Sequence, residues 1–199
     1  MNESREATRS RLLTATLEVL DRRGLAGATS REIAAAAGVN LQAITYHFGS
    51  KDELVAEVLV HAVRMWTEPI QSALAGVAED PLGRLLEAVM AAQQALEETR
   101  RHIPTYAEAL AAATRNDKIR ARIAGLLTEL RDALATSISE LRDAGHIAAW
   151  VDPESMAALL IAAGDGFVLH SALDPDSHPA DRMLQQAVQL LLAARNPDT

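Results

Sequence analysis

Polar side chains that can form directed hydrogen bonds gather between residues 40 and 48 of the chain: Gln42, Thr45, Tyr46 and His47. They supply an amide, a hydroxyl, a phenol and an imidazole. At helical spacing they share one face with Leu41, while Ile44 points to the opposite side. Such a face can bind phosphates and base edges in the major groove of DNA. The alternative interpretation is the solvated face of an ordinary helical hairpin.

The surrounding segment contains the elements that would position this face. Thr29 or Ser30 offers a hydroxyl N-cap for a first short helix, and Asn40 can cap a second one. Gly38 stands between them, where the backbone turns into the left-handed region that glycine enters without a Cβ clash. A Ser-Lys-Asp-Glu capping box then begins a third, longer helix. Two helices joined through a glycine turn predict a helix-turn-helix.

The same stretch resembles the signature of a known family. Residues 29–34 (TSREIA), 37–39 (AGV) and 46–54 (YHFGSKDEL) are similar to the DNA-binding signature of the TetR family of transcriptional regulators. The motif also lies in the first quarter of a 199-residue chain, as it does in that family. One departure is Ile44-Thr45, where the family commonly has a leucine-tyrosine pair. The resemblance implies a regulator that binds DNA as a homodimer and responds to a small molecule, most often as a repressor.

Pattern and resemblance together define the residues expected to contact DNA: Ser30, Arg31, Asn40, Leu41, Gln42, Thr45, Tyr46, His47 and Lys51. Tyr46 and His47 are expected at the phosphate backbone and Lys51 at a flanking phosphate, which would set the register of the protein on the duplex. Gln42 is expected at a base edge, where sequence is read.

Charge is unevenly distributed along the chain. The net charge is −8, yet residues 1–51 carry +2 and residues 52–199 carry −10. A mildly basic head on an acidic body directs nucleic acid to the head. Arg5, Arg9 and Arg11 lie near the start of the first helix and could extend this contact to flanking phosphates, although solvation explains each of them equally well.

Composition and periodicity predict helices throughout. Aromatic residues make up 3% of the chain and cysteine is absent, which excludes disulfides, thiol nucleophiles and cysteine metal sites. Apolar stripes at helical spacing, with Asp-Pro helix starts at Asp80 and Asp152, indicate about nine helices and no strand. We therefore expect an all-α chain with a DNA-binding domain at 1–50 and a larger effector-binding and dimerisation domain at 51–199.

The helix predicted from residue 152 carries an unusual number of small residues. Gly164 and Gly166 lie among alanines on it, and small residues let helices approach closely. The helix propensity of alanine is the simpler explanation, but it leaves the two glycines unexplained. The resemblance implies that the last two helices, about 152–195, pair with those of a second subunit as a four-helix bundle.

Helices from about residue 54 to residue 144 would then enclose an effector site. The aromatic, methionine and buried polar residues expected to line it are Met65, Trp66, Met90, His102, Tyr106, Asp165 and Phe167. An ordinary place in the core is the alternative for each of them. The low aromatic content favours a small or aliphatic effector over a large planar one.

No catalytic constellation is found in the sequence. The six histidines lack the His-x-x-x-His spacing of a helical zinc site, and Gly164-Asp165-Gly166 follows no strand, so it is not a dinucleotide loop. We expect no enzyme, metal or cofactor. The alternative is a small-molecule-binding helical protein or enzyme with a structural N-terminal hairpin. A weaker alternative is a ligand-blind nucleoid or division factor.

The charged N-terminus indicates no signal peptide. The uncharged run 155–164 is short for a membrane helix, which needs about 20 residues. The expectation is a soluble, cytoplasmic protein without a membrane partner.

Overall fold

The computed structural model of the chain describes residues 2–76, 80–174 and 180–193. These residues contain nine α-helices, one 3-10 turn at Arg100–His102 and no strand. The helices are α1 (Asn2–Gly27), α2 (Ser30–Ala36), α3 (Gln42–Phe48), α4 (Lys51–Leu74), α5 (Pro81–Thr99), α6 (Ile103–Ala113), α7 (Asp117–Asp143), α8 (Pro153–Leu173) and α9 (Ala180–Ala193). The predicted all-α architecture with about nine helices is confirmed.

Local capping explains where several helices begin. The hydroxyl of Thr29 accepts a hydrogen bond from the amide of Glu32 (3.3 Å), so Thr29 rather than Ser30 caps α2. Asp80 accepts hydrogen bonds from two amides in the first turn of α5, and Asp152 accepts one from the amide of Ser155 at the start of α8. These bonds satisfy amides that have no partner within their helix. Hydrogen bonds from the hydroxyl and the amide of Ser155 also lower the pKa of Asp152.

The first helix is kinked near its C-terminal end. It runs from Asn2 to Gly27, and the kink lies at Gly24. The backbone angles of Gly24 are φ 66° and ψ 178°, a conformation open only to glycine. The chain resumes helical geometry after the kink.

One compact unit is formed by Met1–Arg64 and Arg101–Ile123. In this unit α1 contacts α2, α3 and α6. Its buried core includes Leu12, Leu20, Ile33, Ile44 and Leu54. The three N-terminal helices therefore share a unit with α6, which lies far from them in sequence.

The second compact unit is formed by Met65–Arg100 and Ala124–Thr199. One apolar cluster fills its interior, with Leu85, Leu134, Ile138, Leu141 and Val151 among its members. Within this unit α9 contacts α5 and α8. Both α4 and α7 begin in the first unit and end in the second, and α4 continues without interruption through Pro69.

Candidate DNA interface

The turn between α2 and α3 sets the direction of the second helix. Gly38 has φ 62°, and the amide of Val39 donates to the carbonyl of Ala34 (3.0 Å) while that of Gly38 donates to Ala35 (3.2 Å). These bonds close the end of α2 and release the chain towards α3. The side chain of Asn40 then accepts a hydrogen bond from the amide of Ala43 (2.9 Å). The predicted helix-turn-helix geometry is present.

Helix α3, the recognition helix, is anchored by one buried residue. Ile44 is 2% exposed and faces the core. On the other side Leu41, Gln42, Thr45 and Tyr46 are exposed. Tyr46 is 67% exposed, which is a high value for a large aromatic side chain. The polar face expected from the sequence is thus available to a partner.

The other expected DNA contacts lie around this face in the same unit. Arg31 and Asn40 are exposed, whereas Ser30, His47 and Lys51 are half-buried. The ring of His47 meets the ring of Tyr46 edge to face, with centroids 5.0 Å apart. The ammonium of Lys51 lies 3.8 Å from the carboxylate of Asp52, a long ion pair that leaves it able to bind a phosphate.

A polar contact network between α1 and α6 carried no signal in the sequence. The carboxylate of Asp21 lies 2.6 Å from Nδ1 of His102 and also accepts a hydrogen bond from the hydroxyl of Thr105. One turn further, both carboxylate oxygens of Glu108 accept from the amide of Leu25, at 3.1 and 3.0 Å. The partners are more than 80 residues apart, so no periodicity or spacing could indicate them.

The residues expected to line an effector site lie in both units. His102 and Tyr106 are buried in the first unit, and Trp66 is buried in the second. Met65, Asp165 and Phe167 are partly buried in the second unit, whereas Met90 is 67% exposed. Both ring nitrogens of His102 contact protein groups, because Nε2 accepts from Nε of Arg101 at 3.1 Å. The role of these seven residues in ligand binding remains a prediction.

A surface groove of about 440 Å³ lies in the second unit, along α7 and the start of α8. Its lining is mostly polar and includes Asp132, Ser139 and Arg142. None of the residues expected to bind an effector lines this groove.

Helix α8 presents an apolar surface that the described part of the chain leaves largely exposed. Within the described residues it is the one helix long and apolar enough to cross a membrane by length and composition, with a mean hydropathy of 1.6, and 11% of that stretch is buried. The sequence expectation counted only its uncharged part, 155–164. Leu159 is 60% exposed, and among the described residues no atom beyond the local backbone of α8 lies within 4 Å of a Cβ built on Gly164 or Gly166. Length and composition alone are weak evidence for a membrane span, since helices of soluble proteins meet the same criteria.

An all-α chain whose N-terminal helix-turn-helix exposes a polar recognition helix is a DNA-binding regulator by its architecture. Comparison with known proteins narrows the class. The family model for bacterial regulatory proteins of the tetR family matches residues 12–58, and that for the C-terminal part of BetI-type transcriptional repressors matches residues 81–194. The chain belongs to the TetR family, with a body of the BetI type.

Individual relatives agree with this assignment. The chain is 28% identical over 188 residues to the HTH-type transcriptional regulator PksA of Bacillus subtilis (strain 168), covering 92% of this chain and 88% of PksA. A transcriptional regulator from Rhodococcus sp. Rha1 is similar in structure, with a TM-score of 0.71, 27% identity and coverage of 93% and 94%. A protein of Saccharomonospora viridis solved in complex with choline has the same fold, with a TM-score of 0.79, 23% identity and coverage of 96% of each chain. All three proteins are named as transcriptional regulators, which is the class predicted for this chain from its sequence.

Proposed function

We propose that the chain is a homodimeric repressor in the cytoplasm that binds a near-palindromic operator and releases it when a small molecule binds. Each subunit would place residues 40–47 in the major groove, at half-sites about 34–36 Å apart or a multiple of that distance. Residues 1–50 would form the DNA-binding domain, and residues 51–199 would bind the effector and the second subunit. We propose no catalytic activity and no cofactor.

The exposure of the recognition helix carries the proposal. Tyr46 is 67% exposed on α3, a helix of seven residues anchored by Ile44, and Leu41, directly before this helix, is 48% exposed. A free-standing structural hairpin would gain by covering these side chains or by replacing them with charged ones. A face with an amide, a hydroxyl and a phenol around an exposed leucine suits a groove that offers phosphates, donors, acceptors and thymine methyl groups.

The surface of α8 supports the homodimer. It exposes Leu159 and Leu173 at 60% and 82%, and α9 beside it exposes Leu190 at 64%. An apolar surface of this kind on a regulator is typical of a subunit interface. The two open glycines would allow a second helix to approach closely. Of the proposed interface at about 152–195, residues 175–179 and 194–195 lie outside the described part of the chain.

For the effector, choline is the first compound to test, because a structural neighbour binds it and the body is of the BetI type. Quaternary ammonium groups are recognised by aromatic faces. Trp66 and Tyr106 are the buried aromatic residues among the proposed ligand contacts. We propose these two and the five other residues named from the sequence as ligand contacts.

The decisive experiment selects an operator from a random duplex library with the purified chain. Binding should be specific, palindromic and steeply dependent on salt. Lys51→Ala should then lower the salt slope by about one unit per subunit for all sequences, and Gln42→Ala should cost ~1–3 kcal/mol per half-site and relax the choice of base at one position of each. Arg131→Ala, which removes an exposed charge from α7, is the control and should change neither quantity.

If the purified chain selects no duplex, the proposed operator-binding function is wrong. If the selected sequence has no symmetry, the proposed homodimeric binding to DNA is wrong, but the chain is still a DNA-binding regulator.

A further inference from the structure

Two arginines on the first turns of α1 lie over aromatic rings of the recognition helix. The guanidinium carbon of Arg5 is 5.4 Å from the ring centroid of Tyr46, and that of Arg9 is 5.0 Å from the ring centroid of Phe48. The two arginines are four residues apart, so they share one face of α1. The start of α1 therefore runs alongside α3, on the side that carries the exposed phenol.

The charges of the two arginines are used differently. Arg9 also forms an ion pair with Glu57 of α4, so its charge is balanced inside the protein and ties α1 to α4. Arg5 is exposed, and within the described part of the chain its recorded contact is the ring of Tyr46. A ring face attracts a cation but does not neutralise it. Arg5 therefore keeps a full positive charge at the edge of the DNA-binding face.

The ring of Tyr46 gives Arg5 a defined position. The rings of Tyr46 and the neighbouring His47 meet edge to face at an interplanar angle of 87°, while Arg5 lies over the ring of Tyr46. A planar guanidinium that lies over a ring can still direct its N–H groups outward to a phosphate, which it matches better than an ammonium does. Arg5 is thus held in place before DNA arrives.

We infer that the first turn of α1 is part of the DNA-binding surface, with Arg5 on a backbone phosphate at the edge of the groove that α3 enters. Arg9 is not part of that surface. The inference rests on the proposed function, because it extends the same interface. It also separates the arginines of α1, which the sequence alone left equivalent.

The test compares Arg5→Ala with Arg22→Ala in the full-length protein bound to its selected operator. Arg22 is exposed on the same helix and contacts the carbonyl of Glu18, at a distance of about 25 Å along the axis from Arg5. Both variants lose one positive charge from the head. Arg5→Ala should lower the slope of log K against log salt concentration by about 0.9 per subunit, or about 1.8 for the homodimer on its operator, and Arg22→Ala should leave it at the wild-type value.

A second comparison tests the stacking on Tyr46. Arg5→Lys keeps the charge, so it should keep the salt slope but bind roughly two- to fivefold more weakly. In a double-mutant cycle, Arg5→Ala and Tyr46→Leu should be less costly together than the sum of the two single changes. Additive effects would show that Tyr46 does not position Arg5.

The outcomes separate the two proposals. If the wild type binds an operator but Arg5→Ala keeps the full salt slope with unchanged thermal stability, the inference about Arg5 is wrong, whereas the proposed function is unaffected. Equal losses of slope in Arg5→Ala and Arg22→Ala would also overturn it, since net charge would then explain both. If the wild type binds no duplex, the proposed function is wrong, and the inference about Arg5 is wrong as well because it rests on that function.

Discussion

The carboxylate of Asp21 on α1 lies 2.6 Å from Nδ1 of His102, 81 residues later in the chain. Because the guanidinium of Arg101 can only donate to Nε2, the hydrogen on the ring is at Nδ1 and is donated to Asp21. The side chains of Asp21 and His102 are 14% and 6% exposed. A shielded hydrogen bond of this kind fixes the orientation of α1 against the helix that follows His102.

Asp21→Ala should therefore destabilise the fold. The change leaves two buried donors, the His102 ring and the Thr105 hydroxyl, without their acceptor, at a cost of about 2–4 kcal/mol. Urea unfolding should show a lower midpoint with an unchanged slope. Glu18→Ala, an exposed carboxylate on the same helix, is the matched control and should stay within about 0.5 kcal/mol of wild type. Equal stability of the two variants would show that the contact contributes little.

Gly24 and Gly38 provide a matched pair of glycines with positive φ. Gly38→Ala places a Cβ in open space, so it should cost only the left-handed backbone penalty of about 1–2 kcal/mol. Gly24→Ala also places its Cβ 2.7 Å from a carboxylate oxygen of Glu108, in a backbone region open only to glycine. We expect Gly24→Ala to cost at least about 1 kcal/mol more, measured by thermal unfolding.

Glu108→Ala tests the same point, because it removes the crowding carboxylate. If Glu108→Ala does not reduce the difference between the two alanine variants, the contact with Glu108 is not its cause.

The proposed subunit interface predicts that Gly164→Leu impairs dimerisation. Within the described part of the chain, no atom beyond the local backbone of α8 lies within 4 Å of a Cβ at Gly164, so we expect the added side chain to clash with a second chain. Gly125→Leu on α7 is the control, since Gly125 is also a helical glycine with open space around it. Sedimentation equilibrium should give a weaker dimer for Gly164→Leu and the wild-type dimer for Gly125→Leu. An intact dimer in both would place the interface elsewhere, and a monomeric wild type at micromolar concentration would contradict the homodimer.

Tryptophan fluorescence should report the proposed switch. Trp66 is 8% exposed on α4, the helix that begins directly after the recognition helix, whereas Trp150 is 70% exposed and would add an unrelated signal. In a Trp150→Phe background, an effector should change the emission of Trp66 and weaken operator binding over the same concentration range. Saturating operator should weaken the effector by the same factor, typically ~5–150-fold. A ligand that binds tightly but leaves operator affinity unchanged would show that it does not control DNA binding.

Much of the fold could be predicted because its signals are local. The caps at Thr29, Asn40 and Asp152 are single residues whose hydrogen-bond partners lie a few positions away. The turn at Gly38 needs a positive φ, which glycine adopts most readily. The buried position of Ile44 follows from helical periodicity. Local signals of this type depend on residues that are close in sequence, so the helix-turn-helix could be predicted from the sequence.

The long-range contacts could not be predicted for the opposite reason. Asp21 and Glu108 are ordinary acidic residues in their own helices, and only packing brings them to His102 and to the amide of Leu25. Likewise, Arg5 and Arg9 have equivalent positions on one helix face, and Glu57 of α4 makes them different. Which charges are balanced within the protein is decided by tertiary structure.

The grouping of residues 101–123 with the N-terminal helices matters for protein engineering. A hybrid regulator that joined the head of this protein to the body of another would have its junction near residue 50 if the sequence alone were followed. Such a junction would supply Asp21 and Leu25 from one parent and their partners around α6, His102 and Glu108, from the other. Hybrids of this protein should therefore exchange the α6 segment together with the head, or restore both pairs by design.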